Sequence, residues 1–360
     1  MIKRNLAYLD WISLLLITVI SAIGICAVFS ATYNPIHPYS MFFKKQLFGI
    51  ASGFVIYFTF MIIDYRKLCR IGYFIYFAVM VILIFTLIMG HVGLGAKRWI
   101  NLGLIKFQPS ELVKLFFPAY FAYYLETEYQ KSNYKPEHLI TLVFILLFTA
   151  LLVLKQPDLG TALIILFCGT LLLWLSGLKR KYFIYTFVVG MICAPILWGF
   201  LRDYQKKRIT VFLGQGDMQK ERYQIEQSKI AIGSGGILGK GFLQGTQNKL
   251  EFLPEGRTDF IFSVLCEEFG FCGALFLLLL YLSLFLRLFV KILQMNDFIA
   301  KILATGLLSS IIFSTIVNIS MVTGLLPIVG IPLPLISYGI SHLWITFASL
   351  GWINGIIMRN

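Results

Sequence analysis

The sequence predicts an all-α integral membrane protein, because the chain is too apolar to be stable in water. Of its 360 residues, 58% are hydrophobic and only 13% are charged, whereas an ordinary soluble domain is about 25% charged. The mean hydropathy is +0.81. This composition excludes a soluble enzyme, a disordered chain and a disulfide-stapled secreted module, and it requires lipid as the solvent.

About ten segments approach the length that a helix needs to cross the hydrocarbon core, which is roughly 20 residues. We predict membrane-spanning helices at residues 11–31, 46–63, 71–90, 112–126, 139–155, 159–176, 182–200, 272–290, 301–323 and 342–357. Their even number places both termini on the same side. No internal repeat is evident, so residues 1–360 are predicted to form one polytopic domain.

The charges of the short loops predict the orientation of the chain. One set of loops carries about twice as many Lys and Arg residues as the opposite set, and the richer set is assigned to the cytoplasm. Its basic residues are Lys3, Arg4, Arg66, Lys67, Arg70, Lys131, Lys135, Lys179, Arg180, Lys181, Arg287, Lys291, Lys301 and Arg359. Both termini are therefore predicted to be cytoplasmic. Loop charge also explains the net charge of +14 without a nucleic-acid partner, since no DNA- or RNA-binding pattern is present.

Four connections on the outer side are rich in glycine, proline, aromatic and charged residues: 91–111, 155–160, 201–271 and 324–341. The largest joins the seventh and eighth spans. Loops on a rigid scaffold often carry function, so we expect the active or binding face to be extracytoplasmic. Residues 260–271 should form a short entering helix, and 324–341 should be non-helical or re-entrant, because irregular backbone at membrane depth must line a cavity or be buried in protein.

The first candidate site residues lie around the predicted start of the fourth span. Glu111 and Lys114 are three residues apart and share one helical face. They form either an internal ion pair of a capped helix or part of a substrate site. Trp99 is either an interfacial anchor or a platform for a ligand. The further candidates of this group are Arg98, Gln108 and Ser110.

Other outer connections hold further ionisable candidates. Asp158 either caps the sixth span or faces the outer cavity. The glycine-rich stretch 233–241 has interleaved lysines and could form backbone N–H nests for anions. Asp259, two residues after Arg257, either caps the entering helix or acts as a general base beside a cation. Two more lysines of the long loop could contact an anionic ligand: Lys229 and Lys249.

Several catalytic classes lack their sequence signatures. The chain has no HExxH motif, no GxSxG nucleophile elbow and no GxxxxGK[ST] loop. Its six cysteines include no CxxC pair and fall mostly in apolar runs. They are predicted to be small hydrophobic core residues and not a metal site or a disulfide framework.

Sequence blocks from residue 95 to the last span resemble those of the SEDS family (shape, elongation, division and sporulation), which includes RodA, FtsW and SpoVE. The blocks are GAKRWINLG, FQPSELVK, QPDLGTA, QSKIAIGSGG, GTQNKLEFLPE, TDFIFSVLCEEFGFCG and NISMVTGLLPIVGIPLPLISYG. The GTQ that precedes FLPE is more similar to the RodA branch than to the FtsW branch.

The resemblance implies a peptidoglycan glycosyltransferase with a fold of ten helices in the bacterial inner membrane. Its substrate would be lipid II, a disaccharide-pentapeptide on undecaprenyl diphosphate, which it would polymerise on the outer face for cell elongation and rod shape. The implied partners are a class B penicillin-binding protein that crosslinks the strands and other membrane proteins of the elongation complex.

The matching motifs also imply roles for individual residues. The family's catalytic acid corresponds to Asp259, which would remove the proton of the acceptor hydroxyl, an effect typically worth about 10²–10⁴-fold. One base with direct displacement inverts the anomeric centre. The leaving diphosphate needs positive charge beside it. The candidates for that charge are Lys114, Arg98, Arg257, Lys229 and a divalent cation such as Mg²⁺ or Mn²⁺. The implied substrate-binding residues are Glu111, Lys114, Arg98, Trp99, Gln108, Ser110, Asp158, Lys229, Lys249, Arg257 and Ser337.

Two positions depart from the family's pattern. Arg257 stands where a histidine is usual, which exchanges a titratable ring for a fixed cation. Ile340 stands where LPLISYGGS-type endings have glycine, so the backbone must differ if that position needs a positive φ. Two rival functions stay open. The chain could be a lipid II flippase or other transporter, or a non-catalytic activator of a penicillin-binding protein.

Overall fold

The computed structural model describes residues 9–360 apart from residues 90, 94–95, 102–105, 131–137, 201–202, 216–220, 250–251 and 254. The helices of the described part are α1 (Trp11–Ala31), α2 (Met41–Ile62), α3 (Tyr65–Met89), α4 (Pro109–Gln130), α5 (His138–Lys155), α6 (Leu159–Leu175), α7 (Arg180–Phe200), α8 (Asp203–Phe212), α9 (Glu221–Ser234), α10 (Thr246–Lys249), α11 (Ile261–Leu293), α12 (Phe298–Val322) and α13 (Ile340–Ile357). Three short strands lie between α3 and α4: β1 (His91–Gly93), β2 (Ala96–Asn101) and β3 (Lys106–Phe107).

The three short strands lie within the connection 91–111 of an otherwise helical chain. β2 is the central strand and pairs antiparallel with both β1 and β3, with Ile100 opposite Phe107. Backbone N–H and C=O groups need partners wherever water is scarce. This connection satisfies part of its backbone by pairing with itself, a feature that hydropathy does not reveal.

The helices lie where the apolar segments predict them. Each of the ten predicted spans coincides with a helix, and in the described part six helices are long and apolar enough to cross a membrane: α1, α2, α3, α11, α12 and α13. Helices α5 and α6 are apolar but shorter. The chain is therefore a helical membrane protein, while the number of crossings and the sidedness stay predictions.

The centre of the bundle is formed by α12 and α13. The apolar window of α13 is 83% buried and that of α12 is 72% buried, against 28% for α11. Close backbone contact explains how α13 packs on α2, because a Cβ atom at Gly351 would lie 2.2 Å from the Tyr57 carbonyl oxygen. Only glycine permits such an approach.

Basic residues of the predicted cytoplasmic loops meet at one end of the bundle. Arg287 near the end of α11 pairs with the buried Asp10 before α1, with Nη2 and Oδ1 2.6 Å apart. Arg66 at the start of α3 pairs with Asp297 at the N-cap of α12 at 3.2 Å. Arg359 donates hydrogen bonds to carbonyls at the end of α2. The helix ends that loop charge assigns to one side are thus together in space.

Helix α11 is broken at Gly270, as predicted for residues 260–271. Gly270 has φ +64° and ψ −162°, which is not helical. A Cβ atom at this position would lie 2.3 Å from the Gly239 backbone nitrogen. The prediction of a non-helical segment between the last two spans is also confirmed, since no helix is assigned between the end of α12 and the start of α13.

The long connection after α7 is more ordered than a loop. It contains α8, α9 and α10. Helix α9 packs on the start of α11 and the end of α12. Its Ser228 Oγ lies 2.8 Å from Ser263 Oγ on α11 and donates a hydrogen bond to the Val322 carbonyl of α12 at 2.7 Å. These contacts position α9 beside the turn that precedes α11.

Candidate active site

A buried ion pair lies in the first turns of α4. Lys114 Nζ is 2.7 Å from Glu111 Oε1, and the two side chains are only 5% and 6% exposed. The other carboxylate oxygen, Oε2, lies 3.2 Å from Nδ1 of His342 in the first turn of α13. A buried charge without a partner is costly, so the opposite charges of Glu111 and Lys114 compensate each other. The predicted pairing of Glu111 with Lys114 is confirmed, and His342 joins it from a distant helix.

A second buried cluster connects the starts of α4 and α6. Asp158 is the N-cap of α6, where its Oδ1 accepts a hydrogen bond from the Thr161 N–H at 3.2 Å. Its Oδ2 accepts hydrogen bonds from Gln108 Nε2 at 2.6 Å and from Ser110 Oγ at 2.9 Å. Asp158 therefore caps α6, which is one of its two predicted roles. Gln108 and Ser110 donate hydrogen bonds to this capping side chain.

Asp259 lies in the turn that precedes α11. The N-cap position of α11 is Phe260, so Asp259 stands one residue outside the cap. The Asp259 carbonyl accepts a hydrogen bond from Asn318 Nδ2 of α12 at 2.8 Å, and the same amide donates to the Ile331 carbonyl at 2.7 Å. A Cβ atom at Gly330 would lie 3.5 Å from Asp259 Oδ2. The half-buried carboxylate therefore faces the non-helical segment that follows α12.

Ser337 and Tyr338 fix that non-helical segment against the turn before α11. Ser337 Oγ donates to the Thr258 carbonyl at 2.7 Å and accepts from the Leu333 N–H at 2.7 Å. The Tyr338 N–H donates to the Arg257 carbonyl at 3.0 Å. The Ser337 side chain is fully buried, and its hydroxyl proton is donated to a backbone carbonyl. Ser337 therefore connects the non-helical segment to the turn before α11, and its predicted contact with a substrate stays a prediction.

Arg257 is held by an aromatic side chain of α2. The guanidinium carbon lies 4.0 Å from the centroid of the Phe42 ring, a cation–π contact. Phe42 also meets Tyr338 edge-on, with ring centroids 5.4 Å apart. Burial raises the pKa of the Tyr338 phenol, and the charge of Arg257 partly offsets that effect. Arg257 is thus a fixed cation in the same turn as Asp259.

The ion pair and the turn that carries Asp259 are close because one short stretch of chain touches both. Tyr338 contacts the backbone of Arg257, and His342, four positions later, contacts Glu111. An extended chain spans at most about 3.6 Å per residue. Tyr338 and His342 are therefore within about 14 Å of each other. Both lie at the end of the bundle opposite Asp10. A carboxylate, a guanidinium and a buried ammonium group share this region.

The glycine-rich stretch 233–241 does not form the predicted anion nest. The amides of Lys240 and Gly241 donate to the carbonyls of Glu267 and Glu268, at 3.0 and 2.9 Å. These backbone N–H groups are consumed by packing against the broken helix α11. The close approach requires glycine, since a Cβ atom at Gly239 would lie 2.1 Å from the Glu268 carbonyl oxygen.

The N–H groups at the start of α10 bind a carboxylate of the chain itself. Glu267 Oε1 accepts hydrogen bonds from the N–H groups of Thr246 and Gln247, at 2.8 and 3.1 Å. It also lies 2.7 Å from Lys240 Nζ. The Glu267 side chain is fully buried, so this interaction fixes the outer segment to α11.

The remaining candidates are placed less completely. Lys229 is exposed on α9 and extends beside Gly324, where a Cβ atom would lie 2.4 Å from its Cε. Lys249 belongs to α10, and Arg98 and Trp99 belong to β2. The side chains of these last three residues lie outside the described part of the chain, so their roles stay predictions.

Sequence reasoning missed the part that His342 plays. The available signal was a histidine inside the last apolar span, since polar groups within spans usually have a partner. The acids Glu267 and Glu268 interrupt an apolar run in the sequence, and that pattern does not indicate their partners. The sequence could not indicate which distant helix would supply the partners of any of these groups.

Comparison with known proteins shows the family to which the chain belongs. The sequence model of the cell cycle protein family named for FtsW, RodA and SpoVE matches residues 7–360. The chain belongs to this family. The predicted SEDS resemblance is thereby confirmed over almost the full length.

Individual SEDS relatives agree with the family assignment. The chain is 40% identical over 316 residues to the peptidoglycan glycosyltransferase MrdB of Escherichia coli K12, covering 87% of this chain and 85% of that protein. It is 31% identical to the peptidoglycan glycosyltransferase RodA of Treponema pallidum, with 99% of each chain covered.

Two solved structures share the fold of this chain. Rod shape determining protein RodA of Thermus thermophilus superposes with a TM-score of 0.71 at 28% identity, covering 98% of this chain and 97% of that one. A chain from a peptidoglycan synthase complex, studied for its coordination of polymerization and crosslinking, superposes with a TM-score of 0.82 at 27% identity, covering 98% of both chains.

Neither residue that departs from the SEDS pattern has a positive φ. Ile340 is the first residue of α13, and positive φ falls instead on Gly339 and Leu335, at +159° and +66°. Its side chain packs toward Gly49 of α2, where a Cβ atom would lie 3.6 Å from Ile340 Cγ1. Arg257 has its own support from Phe42. Neither residue disrupts the turn that carries Asp259.

Proposed function

We propose that this SEDS chain is a peptidoglycan glycosyltransferase that polymerises lipid II. The observation that carries the proposal is the convergence of Asp259, Arg257 and the buried Glu111–Lys114 pair at one end of the bundle. This arrangement offers a base and positive charge for one glycosyl transfer. The names of the relatives, which are peptidoglycan glycosyltransferases with high coverage, support the same activity.

Asp259 is the general base of the proposed reaction. An acceptor sugar hydroxyl is a weak nucleophile at neutral pH, and a carboxylate beside it removes the proton as the new bond forms. The anomeric carbon of the donor passes through an oxocarbenium-like state while its bond to the diphosphate breaks. Direct displacement with one base inverts the anomeric centre, so an α-linked undecaprenyl diphosphate donor gives a β-linked strand.

Lys114 and Arg257 are two described cations at this end of the bundle that could stabilise the departing diphosphate. Fixed positive charge in a site with little water stabilises developing negative charge more than it would in bulk solvent. Arg98, Lys229 and Lys249 are further candidates from the outer connections. A divalent cation is not assigned a step, because the described residues contain no group of three or more side chains that could hold a metal.

The proposed setting is the bacterial inner membrane. Ten crossings place both termini in the cytoplasm, and the long connection with α8, α9 and α10 lies outside. Arg287, Arg66 and Arg359 support this orientation, because these basic residues gather at the end of the bundle opposite Asp259. The active face is then extracytoplasmic, where the glycan strands are needed.

The proposed partner is a class B penicillin-binding protein within the elongation complex. Support comes from the structural similarity to a chain of a peptidoglycan synthase complex. A transpeptidase next to the polymerase would crosslink each strand as it emerges. The proposal therefore predicts more polymer when the cognate partner is present.

Labelled lipid II tests the function directly. The purified full chain in liposomes is supplied with lipid II, with and without the partner and with Mg²⁺, Mn²⁺ or EDTA, and the products are separated on a gel. We expect glycan strands that a β-1,4-specific muramidase digests. Transport of lipid II without polymer would favour the flippase, and polymer made only by a partner that has its own glycosyltransferase would favour a non-catalytic activator.

A further inference from the structure

His342 makes a contact that the proposed reaction does not yet use. It lies in the first turn of α13, is 6% exposed, and places Nδ1 3.2 Å from Glu111 Oε2. Lys114 Nζ holds the opposite oxygen at 2.7 Å. One carboxylate from α4 is therefore held between an ammonium group of its own helix and an imidazole of another helix.

The identity of these groups fixes the direction of the hydrogen bond. A carboxylate paired with a lysine is ionised and can only accept hydrogen bonds. Nδ1 of His342 must then carry the proton and donate it to Glu111, an assignment made from the partner. The other ring nitrogen, Nε2, is buried and has no hydrogen-bond partner among the described residues. Within the described part of the chain, the ring therefore has one hydrogen-bond contact, and that contact is with Glu111.

The contact connects two parts of the site that are far apart in sequence. Five residues before His342, Ser337 bonds the Thr258 carbonyl in the turn that carries Asp259. One rigid stretch thus bonds the base turn through Ser337 and the ion pair through His342. Carboxylate–histidine pairs orient functional groups in this way in metal and hydrolase sites.

We propose that His342 is a positioning residue for glycosyl transfer. Its Nδ1–H donates to Glu111 Oε2 and fixes the carboxylate, which in turn orients the buried ammonium group of Lys114 relative to Asp259. The inference rests on the proposed polymerase function, because it names a residue that sets the geometry of that site. It assigns no contact between His342 and the substrate.

Three substitutions separate this role from simple packing. His342→Asn keeps a donor at the distance of Nδ1, His342→Gln moves the donor one methylene further to the distance of Nε2, and His342→Ala removes it. We expect kcat to fall at least about tenfold in the Ala and Gln variants, since a hydrogen bond to a charged group is lost. KM should change by less than about threefold, and the Asn variant should stay within about threefold of the native kcat.

Stability and additivity provide the controls. The apparent melting temperatures of the Asn and Gln variants should agree, so that a difference in kcat does not report unfolding. Adding His342→Ala to Glu111→Gln should lower kcat no further than Glu111→Gln alone, because the histidine acts through Glu111. Equal kcat in the Asn and Gln variants, full activity of the Ala variant, or additive losses would overturn the proposal.

A second readout keeps the inference distinct from the proposed function. In protein labelled with ¹⁵N-histidine, the signals that disappear in His342→Asn should show protonation at Nδ1 and should shift in Glu111→Gln. If the native protein makes no strands, the polymerase function fails, and the positioning role fails with it. If the native protein is active but the His342 signals do not shift in Glu111→Gln, only the inference about His342 fails.

Discussion

The side chains of Glu111, Lys114 and His342 act as one unit because none of them is exposed to water. Lys114 and Glu111 are held 2.7 Å apart at 5% and 6% exposure. Attraction within such a pair is offset by the loss of hydration, so the pair contributes little net stability while an unpaired member is strongly destabilising. Their presence at the site is therefore better explained by chemistry than by folding.

This view predicts the outcome of charge removal at the ion pair. Lys114→Met should lower the apparent stability by about 3 kcal/mol, because the Glu111 carboxylate would be buried without its cation. The double variant Glu111→Gln/Lys114→Met should regain part of that loss, while both variants make no glycan strands. Thermal melting in detergent measures the difference, and a double variant less stable than Lys114→Met would contradict the account.

Asp10 gives a prediction of pH dependence at the opposite end. Burial alone would raise the pKa of its carboxyl, but the hydrogen bonds from Arg287 and Ser13 outweigh burial and lower the pKa below the ordinary value of 3.8. The unfolded chain therefore binds this proton more readily. The stabilisation is complete above about pH 4 and is lost as the pH falls through the lower folded pKa.

Melting curves between pH 6 and pH 3 test the contribution of Asp10. Native protein should be more stable than Asp10→Asn at pH 6, and the gap should narrow toward pH 3. Asp64→Asn serves as the matched control for the loss of one carboxylate, since it alters an exposed acid at the same end and keeps an oxygen that can accept the Arg66 N–H hydrogen bond. A gap that widens on acidification would reverse the sign of the argument.

Among the elements, α11 has the most demanding geometry. It combines an entering segment and a span, and Gly270 joins them with φ +64°. The glycine-rich stretch supplies hydrogen-bond partners at the break. The N–H groups of Phe271 and Cys272 donate to the carbonyls of Gly236 and Ile237. The turn with Asp259 lies directly before this segment, so the break helps to position Asp259, the proposed base.

Replacing Gly270 therefore has a specific expected result. Gly270→Ala should destabilise the protein by on the order of 1–3 kcal/mol and reduce polymerisation, because the methyl group would lie 2.3 Å from the Gly239 nitrogen. Gly190→Ala in α7 is the matched control, since nothing lies within 4 Å of its Cβ position. Equal effects of the two substitutions would show that the close approach is unimportant.

The elements that the sequence predicts well are those with a local signal. Apolar length alone locates the helices, and the acids with glycine at 267–270 indicate the broken helix. The strands β1 to β3 and the helix α9 have no such signal, because their stability comes from backbone pairing and from contacts such as Ser228 with Ser263. The glycine-rich stretch has no local signal of its partners either, because its amides donate to carbonyls of a distant helix.

At the scale of the whole molecule, the two ends of the bundle differ in chemistry. One end holds arginine pairs and exposed lysines, and the other holds Asp259, Arg257 and the buried ion pair. Local spacing predicts Glu111 with Lys114, but the contact with His342 joins residues 231 positions apart. Such a contact depends on how α4 and α13 pack, which single-sequence reasoning does not provide.

The proposed orientation can be checked in intact cells. In a chain whose native cysteines are replaced by alanine, Glu226→Cys on α9 should react with a membrane-impermeant maleimide. Asp64→Cys at the other end should react only after permeabilisation, because loop charge places it in the cytoplasm. The reverse labelling pattern would invert the topology and place the candidate site inside the cell.

The most direct test of the central claim compares Asp259→Asn with Glu226→Gln in the lipid II assay. Both substitutions exchange one acid for its amide between α7 and α11, but Glu226 is an exposed residue of α9 with Arg222 Nε 4.0 Å from its carboxylate. We predict native strand formation by Glu226→Gln and a loss of at least about 100-fold by Asp259→Asn, with both variants folded. Native rates from Asp259→Asn would contradict the assignment of Asp259 as the base.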